Sequence, residues 1–154
     1  MTWTEVKELA ALIGAAIAIL TFIKSTFEYV LQGAQKRAER FLAVRKVFKD
    51  NPKFRDICDY VDRDDPVLAT LPLQDRRDFA GFLEEVAILT NSHIVSEEVS
   101  LHFFGYYAID CWNSQNFWLG LPKNTEYWSV LRDYVQQMRT MQAQLRHEPR
   151  KLRM

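Results

Sequence analysis

Cysteine, histidine, glycine and proline are all scarce in this sequence of 154 residues. The two cysteines, Cys58 and Cys111, belong to no CxxC motif, which excludes a disulfide framework and indicates reduced thiols in a reducing compartment. No two of the three histidines are three or four residues apart, so no helical metal-ligand pair is present. The few glycines form no phosphate-binding loop. These absences predict a protein without a metal or another cofactor.

The sequence also shows no catalytic constellation, and we predict that the protein is not an enzyme. Small all-α ribonucleases of the HEPN type carry an arginine shortly before a histidine. The pair that comes nearest to this pattern is Arg139 and His147, and its separation is wider than the HEPN spacing. A cytosolic HEPN-like ribonuclease is therefore only a third hypothesis, and nucleic acid is disfavoured as a partner.

The formal net charge of zero conceals three blocks of opposite sign. Residues 1–55 carry ten basic and five acidic side chains, residues 56–99 carry three and eleven, and residues 100–154 carry seven and four. Both a basic and an acidic surface are therefore expected on the protein.

An uncharged apolar run extends from Leu9 to Ile23. As a helix it is about 22 Å long, and Trp3, Lys24 and the apolar residues up to Leu31 extend it toward the roughly 30 Å of a bilayer core. Residues 1–31 are accordingly predicted to form a membrane anchor helix in contact with lipid. The anchor residues are Leu9, Leu12, Ile13, Ile17, Ile19, Leu20, Phe22 and Ile23.

Two other interpretations of the apolar run remain open: a helix buried in a soluble oligomer, and an amphipathic helix on the membrane surface. A cleaved signal peptide is disfavoured because Glu5 and Glu8 precede the run. Small residues recur within it at every fourth position, namely Ala10, Gly14 and Ala18. Such spacing allows close approach of membrane helices, so we expect the protein to associate with itself here.

Basic residues outnumber acidic ones just after the apolar run, whereas only Lys7 precedes it. The positive-inside rule then predicts a single-pass protein of the cell inner membrane, with its N-terminus outside and its bulk in the cytoplasm. The residues expected beside the inner leaflet are Lys24, Lys36, Arg37 and Arg40.

The remaining sequence is typical of an all-α protein, with a long N-terminal helix followed by a small helical bundle. The transmembrane part of that helix is expected to continue into the cytoplasm, because no proline occurs before Pro52. The predicted cytoplasmic bundle covers residues 32–147, with Asp75 and Ser96 as helix N-caps. Residues 148–154 form a predicted basic tail.

Within the second charge block, acidic residues cluster between two predicted helices. The cluster lacks the glycine and the terminal glutamate of an EF-hand loop. Pairing with a basic face on a neighbouring subunit is the alternative to a solvated loop. This possible intersubunit acidic patch consists of Asp56, Asp59, Asp62, Asp64 and Asp65.

Two sequence stretches carry a resemblance to known proteins: FLEEVAILTNSHIVSEEV (82–99) followed by FFGYYAIDCW (103–112), and later Tyr127-Trp128. They resemble small bacterial single-pass membrane-anchored helical proteins of unknown function. The layout is similar to that of the pore-forming membrane accessory of an RNA-targeting CRISPR system. This resemblance implies an oligomeric membrane effector.

The leading functional hypothesis is a membrane-anchored homo-oligomer that forms pores or perturbs the membrane in anti-phage defence, together with a protein partner of a defence system. The alternative is a membrane-tethered interaction or regulatory module without transport activity.

Overall fold

The computed structural model of this chain describes residues 3–147, without the side chains of residues 5, 6, 9–11, 146 and 147. All regular structure in this range is helical, so the predicted all-α class is confirmed. The predicted basic tail, residues 148–154, lies outside the described residues. The helices are α1 (Trp3–Asp50), α2 (Pro52–Val61), α3 (Val67–Thr70), α4 (Leu73–Asn91), α5 (Glu97–Ser100), α6 (Tyr106–Asn113), α7 (Gln115–Trp118) and α8 (Ser129–His147), with a π-helical turn (Leu101–Gly105) between α5 and α6 and a 3₁₀ turn (Glu126–Trp128) before α8.

Helix α1 is continuous over 48 residues, as the absence of proline predicts. It ends at Asp50, where the sequence Asn51-Pro52 starts a new helix. The Asn51 side chain accepts a hydrogen bond from the Lys53 amide at 3.0 Å, and Pro52 occupies the first position of α2, where its missing N–H costs nothing.

The chain divides into two compact units, one up to Arg40 and one from Phe41 onward. The predicted boundary between anchor and bundle is residue 31. The difference arises because residues 32–40 remain exposed, apart from the partly exposed Gly33, whereas Phe41, Val44 and Phe48 pack into the core of the second unit.

Aromatic rings from distant parts of the sequence form the core of the second unit. Phe48 on α1 stacks on Phe82 with 5.4 Å between ring centroids and meets Phe104 edge-on, also at 5.4 Å. Phe79 and Leu83 on α4 and Leu131 on α8 are fully buried beside them. Burial of each such side chain contributes about 1.5–3 kcal/mol, so this core provides most of the stability of the bundle.

The starts of the helices agree with the sequence prediction at one site and differ at another. Ser96 caps α5 by accepting a hydrogen bond from the Val99 amide at 3.3 Å, as predicted. Asp75 is not an N-cap, because α4 begins at Leu73 directly after Pro72. Asp75 instead lies in the first turn, where its carboxylate pairs with the Lys53 ammonium at 2.6 Å.

Helices α5 and α6 run together through the π-helical turn. At its end, a Cβ added to Gly105 would lie 2.9 Å from the Met138 sulfur and 2.9 Å from Leu101 Cδ1. Glycine therefore allows the turn to approach α8 more closely than any other residue would.

A chain of buried hydroxyl groups connects α4, α5 and α8. Thr90 Oγ1 donates to the Val86 carbonyl at 2.8 Å and lies 2.8 Å from Ser100 Oγ, which in turn lies 2.6 Å from the Tyr134 hydroxyl. Burial raises the pKa of Tyr134 to about 12, so the phenol stays neutral. The network fixes three helices relative to one another without placing a charge in the core.

Candidate functional site: an exposed apolar helix

The segment of α1 from Leu12 to Leu31, the apolar segment, exposes all of its large hydrophobic side chains. Their exposed fractions range from 50% at Ile23 to 79% at Tyr29. The apolar segment lies in the one described helix that is long and apolar enough to cross a membrane, by length and composition, and none of the qualifying window is buried. Soluble proteins rarely leave so large an apolar surface uncovered.

The predicted anchor residues lie at the start and centre of this exposed surface. Leu12, Ile13, Ile17, Ile19, Leu20, Phe22 and Ile23 are all exposed. Leu9 lies in α1, but its side chain is outside the described residues. From Leu9 to Leu31 the helix is about 33 Å long, which matches a hydrocarbon core of about 30 Å.

Two threonine hydroxyls in the apolar segment are satisfied by the helix itself. Thr21 Oγ1 donates to the Ile17 carbonyl at 2.8 Å, and Thr26 Oγ1 donates to the Phe22 carbonyl at 2.9 Å. In hydrocarbon an unpaired hydroxyl is costly, because no water can replace the missing hydrogen bond. These two bonds therefore make the segment compatible with lipid.

One ion pair occurs inside the apolar segment. The Lys24 ammonium and the Glu28 carboxylate, one turn apart, approach to 3.7 Å. Both side chains are exposed. With this spacing the positive charge of Lys24 and the negative charge of Glu28 partly compensate each other. Lys24 also has a stem long enough for its charge to reach a lipid headgroup.

The predicted association stripe lies on the same helix. Gly14 and Ala18 are exposed, and a Cβ added to Gly14 would meet nothing within 4 Å. The side chain of Ala10 is outside the described residues. A larger residue at position 14 would thus disturb no contact within the chain, which makes this position suitable for testing contacts between chains.

The basic segment that follows is fully solvated. Lys36, Arg37 and Arg40 are exposed, and Arg37 passes beside Gly33, where an added Cβ would lie 3.5 Å from its Nη1. The charge distribution on which the predicted orientation depends is therefore carried by accessible side chains.

The structure divides the predicted acidic patch into two groups with different roles. Asp56, Asp59 and Asp62 are exposed. Asp64 accepts hydrogen bonds from the Ser114 hydroxyl at 2.5 Å and the Asn116 amide at 3.0 Å, and Asp65 accepts from the Val67 amide at 2.9 Å. These two carboxylates accept hydrogen bonds from amides in the first turns of α7 and α3, a structural role that the charge pattern alone could not predict.

Other reactive groups offer little chemistry. Among the described residues, no three His, Cys, Asp or Glu side chains are grouped to hold a metal ion. Burial, and then the neighbouring Asp59, raise the pKa of Cys58 to about 12, and burial raises that of Cys111 well above its usual value, so neither thiol is an activated nucleophile. Arg139, the arginine of the HEPN-like pair, donates a hydrogen bond to Asn113 Oδ1, and the His147 side chain is outside the described residues.

The sequence did not reveal the role of Arg76, a buried cation. Its Nη1 donates to the carbonyls of Phe117 at 2.7 Å and Leu119 at 2.8 Å, and more weakly to that of Asn116 at 3.3 Å. Burial lowers the pKa of Arg76. The guanidinium thus supplies a donor to the Phe117 and Leu119 carbonyls at the end of α7. Only its position on the inner face of α4, three residues before Phe79, could have indicated this role.

The comparisons with known proteins identify no relative. No protein-family model matches the sequence, and neither a curated protein nor a solved structure matches it. The features of this chain that bear on function are therefore the exposed apolar helix and the surface of the bundle.

Proposed function

We propose that this protein is a single-pass membrane protein whose apolar segment spans the bilayer and holds the helical bundle at the membrane surface. The observation that carries the proposal is that every large apolar side chain from Leu12 to Leu31 is at least 50% exposed. Burial of apolar surface contributes about 25 cal/mol per Å², so an uncovered segment of this size requires an apolar environment.

Two features favour lipid over the other environments considered from the sequence. From Leu12 to Ile23 the segment carries no charged side chain and no polar face, which disfavours an amphipathic helix on the membrane surface. Its threonine hydroxyls bond to the helix's own carbonyls, as a lipid environment requires. In a soluble oligomer the same surface would have to be covered entirely by other chains.

The test compares two substitutions at sites of similar exposure on the same helix. Ile17 is 59% exposed in the middle of the apolar segment, and Val47 is 55% exposed within the second unit. Arginine at the centre of a membrane helix costs about 3 kcal/mol. We expect I17R to reduce the protein that stays in the membrane pellet after alkaline carbonate extraction, and V47R to leave it unchanged. Recovery of the wild-type chain in the supernatant without detergent would refute membrane anchoring.

The proposal includes an orientation in the cell inner membrane with the N-terminus outside and the bundle in the cytoplasm. The exposed residues Lys36, Arg37 and Arg40 support it, because basic side chains that flank a span are retained on the cytoplasmic side.

We further propose that the protein forms homo-oligomers through Ala10, Gly14 and Ala18. The open space around Gly14 supports this proposal, since glycine there allows a second helix to approach closely. In detergent we expect G14L to reduce the oligomer mass, and G14A to retain it. An unchanged oligomer in G14L would exclude the stripe as the contact.

Two functions of such an anchored oligomer can be distinguished. One is a pore-forming or membrane-perturbing effector in anti-phage defence, supported by the resemblance in layout. The other is a tethered interaction module, supported by an exposed apolar groove on the bundle beside Arg77. A membrane-potential dye in phage-infected cells separates them: depolarisation that requires Gly14 indicates a pore, and an unchanged potential indicates the module.

A further inference from the structure

A groove on the bundle has the lining of a ligand site. It encloses about 430 Å³ and is lined by residues from α4 and from the region between α7 and α8. The lining residues are Arg77, Leu121, Pro122, Thr125, Tyr127 and Trp128. This volume lies within the roughly 300–1,000 Å³ that is usual for small-molecule sites.

The lining is mostly apolar and carries one cationic group. Arg77 is exposed, and no hydrogen bond or ion pair holds its guanidinium within the described part of the chain. The neighbouring carboxylates are already engaged, Asp75 by Lys53 at 2.6 Å and Asp78 by Gln74 at 2.7 Å. Arg77 is thus available to an anion from outside the chain.

Arg77 carries the one charged side chain of the lining, and two of the other polar groups of the lining are used within the fold. The Thr125 hydroxyl donates to the Pro122 carbonyl at 3.2 Å, and the Trp128 amide donates to the Thr125 carbonyl at 3.2 Å. The Arg77 guanidinium is therefore the group that can select the charge of a ligand, while the apolar walls select its body.

The wall of the groove is fixed before any ligand arrives. Arg76, adjacent to Arg77 but pointing into the core, binds the Leu119 carbonyl at 2.8 Å. Gly120 has φ +79°, a conformation that favours glycine, and the Leu121 amide donates to the Trp118 carbonyl at 2.8 Å. A preorganised wall loses little entropy on binding.

We propose that this groove binds a small organic monocarboxylate with an aromatic body. The body would lie against Leu121, Pro122 and Trp128, and the carboxylate would accept hydrogen bonds from Arg77. The enclosed volume favours a free small molecule as the occupant, and the single unpaired cation favours one negative charge. This proposal goes beyond membrane anchoring and does not depend on it.

The experiment compares two probes of nearly the same shape, 2-naphthoate and its neutral analogue 2-naphthamide. The full-length protein in lipid nanodiscs is titrated by calorimetry, with empty nanodiscs as the blank, and the methyl signals of Leu121 and Thr125 locate the site by NMR. We expect 2-naphthoate to shift both signals and to bind about tenfold more tightly than 2-naphthamide, since a charge-assisted hydrogen bond contributes about 1.5 kcal/mol.

Two variants separate a direct contact with Arg77 from a general effect of the protein's positive charge. R77Q should weaken 2-naphthoate about tenfold and leave 2-naphthamide unchanged, whereas R132Q, which removes another exposed arginine, should change neither. Equal affinity for the two probes, or binding no stronger than to empty nanodiscs, would overturn the proposal. So would tighter binding at the same methyl groups by the blocked peptide acetyl-Gly-Gly-Phe-amide, because this peptide has no carboxylate and the site would then be one for peptides.

Discussion

At the scale of single residues, two helical glycines differ in what surrounds them. A Cβ added to Gly105 would lie 2.9 Å from both the Met138 sulfur and Leu101 Cδ1. A Cβ added to Gly81 would meet nothing within 4 Å. Alanine gains up to about 1 kcal/mol of helix propensity at either site, but overpacking a core costs about 1–3 kcal/mol. The same substitution should therefore have opposite signs at the two positions.

We expect G105A to destabilise the bundle by about 1 kcal/mol and G81A to stabilise it by about 0.5–1 kcal/mol. Thermal unfolding of the full-length protein in detergent, followed by near-ultraviolet circular dichroism, measures both. An increase in Tm for G105A would show that Leu101 and Met138 move aside without cost.

Asp64 provides a second residue-scale prediction, which concerns pH. Burial alone would raise the pKa of Asp64, but hydrogen bonds from Ser114, Asn116 and Gln115 lower it below its usual 3.8. Because the folded pKa is the lower one, the carboxylate stabilises the fold above the unfolded pKa, and this stabilisation disappears as the pH falls through the folded pKa.

D64N should cost about 1 kcal/mol at pH 7, as the loss of a helix cap does. The difference from wild type should shrink below about pH 3.8. Denaturant titrations of the full-length protein at pH 7 and pH 3 test this, with D56N, at an exposed site on α2, as the control. A pH-independent difference would mean that the charge of Asp64 is not what stabilises α7.

At the scale of elements, the four-residue helix α7 depends on contacts from outside itself. Helices this short are not stable alone, and Asp64 at its start and Arg76 at its end supply the missing partners.

We expect R76M to destabilise the bundle by about 2–4 kcal/mol, because buried carbonyls lose their donor. R77M, at the exposed neighbouring position, should change stability by less than about 0.5 kcal/mol. Chemical denaturation of the full-length protein distinguishes the two. Similar small effects in both variants would show that water or other groups replace the guanidinium.

The element scale also shows what sequence patterns can and cannot predict. The spacing of Trp128, Leu131, Val135, Met138 and Leu145 predicts one apolar stripe along the last helix. The first four are buried and Leu145 is partly buried, because the residues after Trp128 all lie on the regular helix α8. From α5 to α6 the spacing predicts a stripe of Val99, Phe103, Tyr106/Tyr107 and Asp110/Cys111. Cys111 is buried as this predicts, but Ser100 and Phe104 are buried in place of Val99 and Phe103. Adjacent phenylalanines and a π-helical turn make the periodicity there ambiguous.

The same contrast holds for the candidate sites. The apolar run from Leu9 to Ile23 could be predicted, because recognising uncharged residues in sequence needs no knowledge of other parts of the chain. The Arg76 clamp and the groove beside Arg77 could not, because each brings α4 together with residues some forty or more positions later. Such contacts depend on tertiary packing, which leaves no local pattern.

At the scale of the whole molecule, the proposed orientation can be tested by cysteine accessibility. Because the pKa of Cys58 is about 12 and Cys111 is fully buried, the native thiols should react slowly with maleimides at neutral pH. We expect a membrane-impermeant maleimide to label T4C in intact cells, and E85C only after the cells are opened. Labelling with the opposite pattern would reverse the orientation.

The continuity of α1 has a consequence for biosynthesis. Phe41, Val44 and Phe48 follow the apolar segment on the same helix. Phe48, however, stacks on Phe82 and meets Phe104 edge-on, and both of these residues leave the ribosome later. Until Phe82 and Phe104 have been synthesised, these side chains have no packing partners and stay exposed. Such transient apolar surfaces promote aggregation. Early capture of the apolar segment by a membrane would hold each nascent chain apart from its neighbours until its own core is complete.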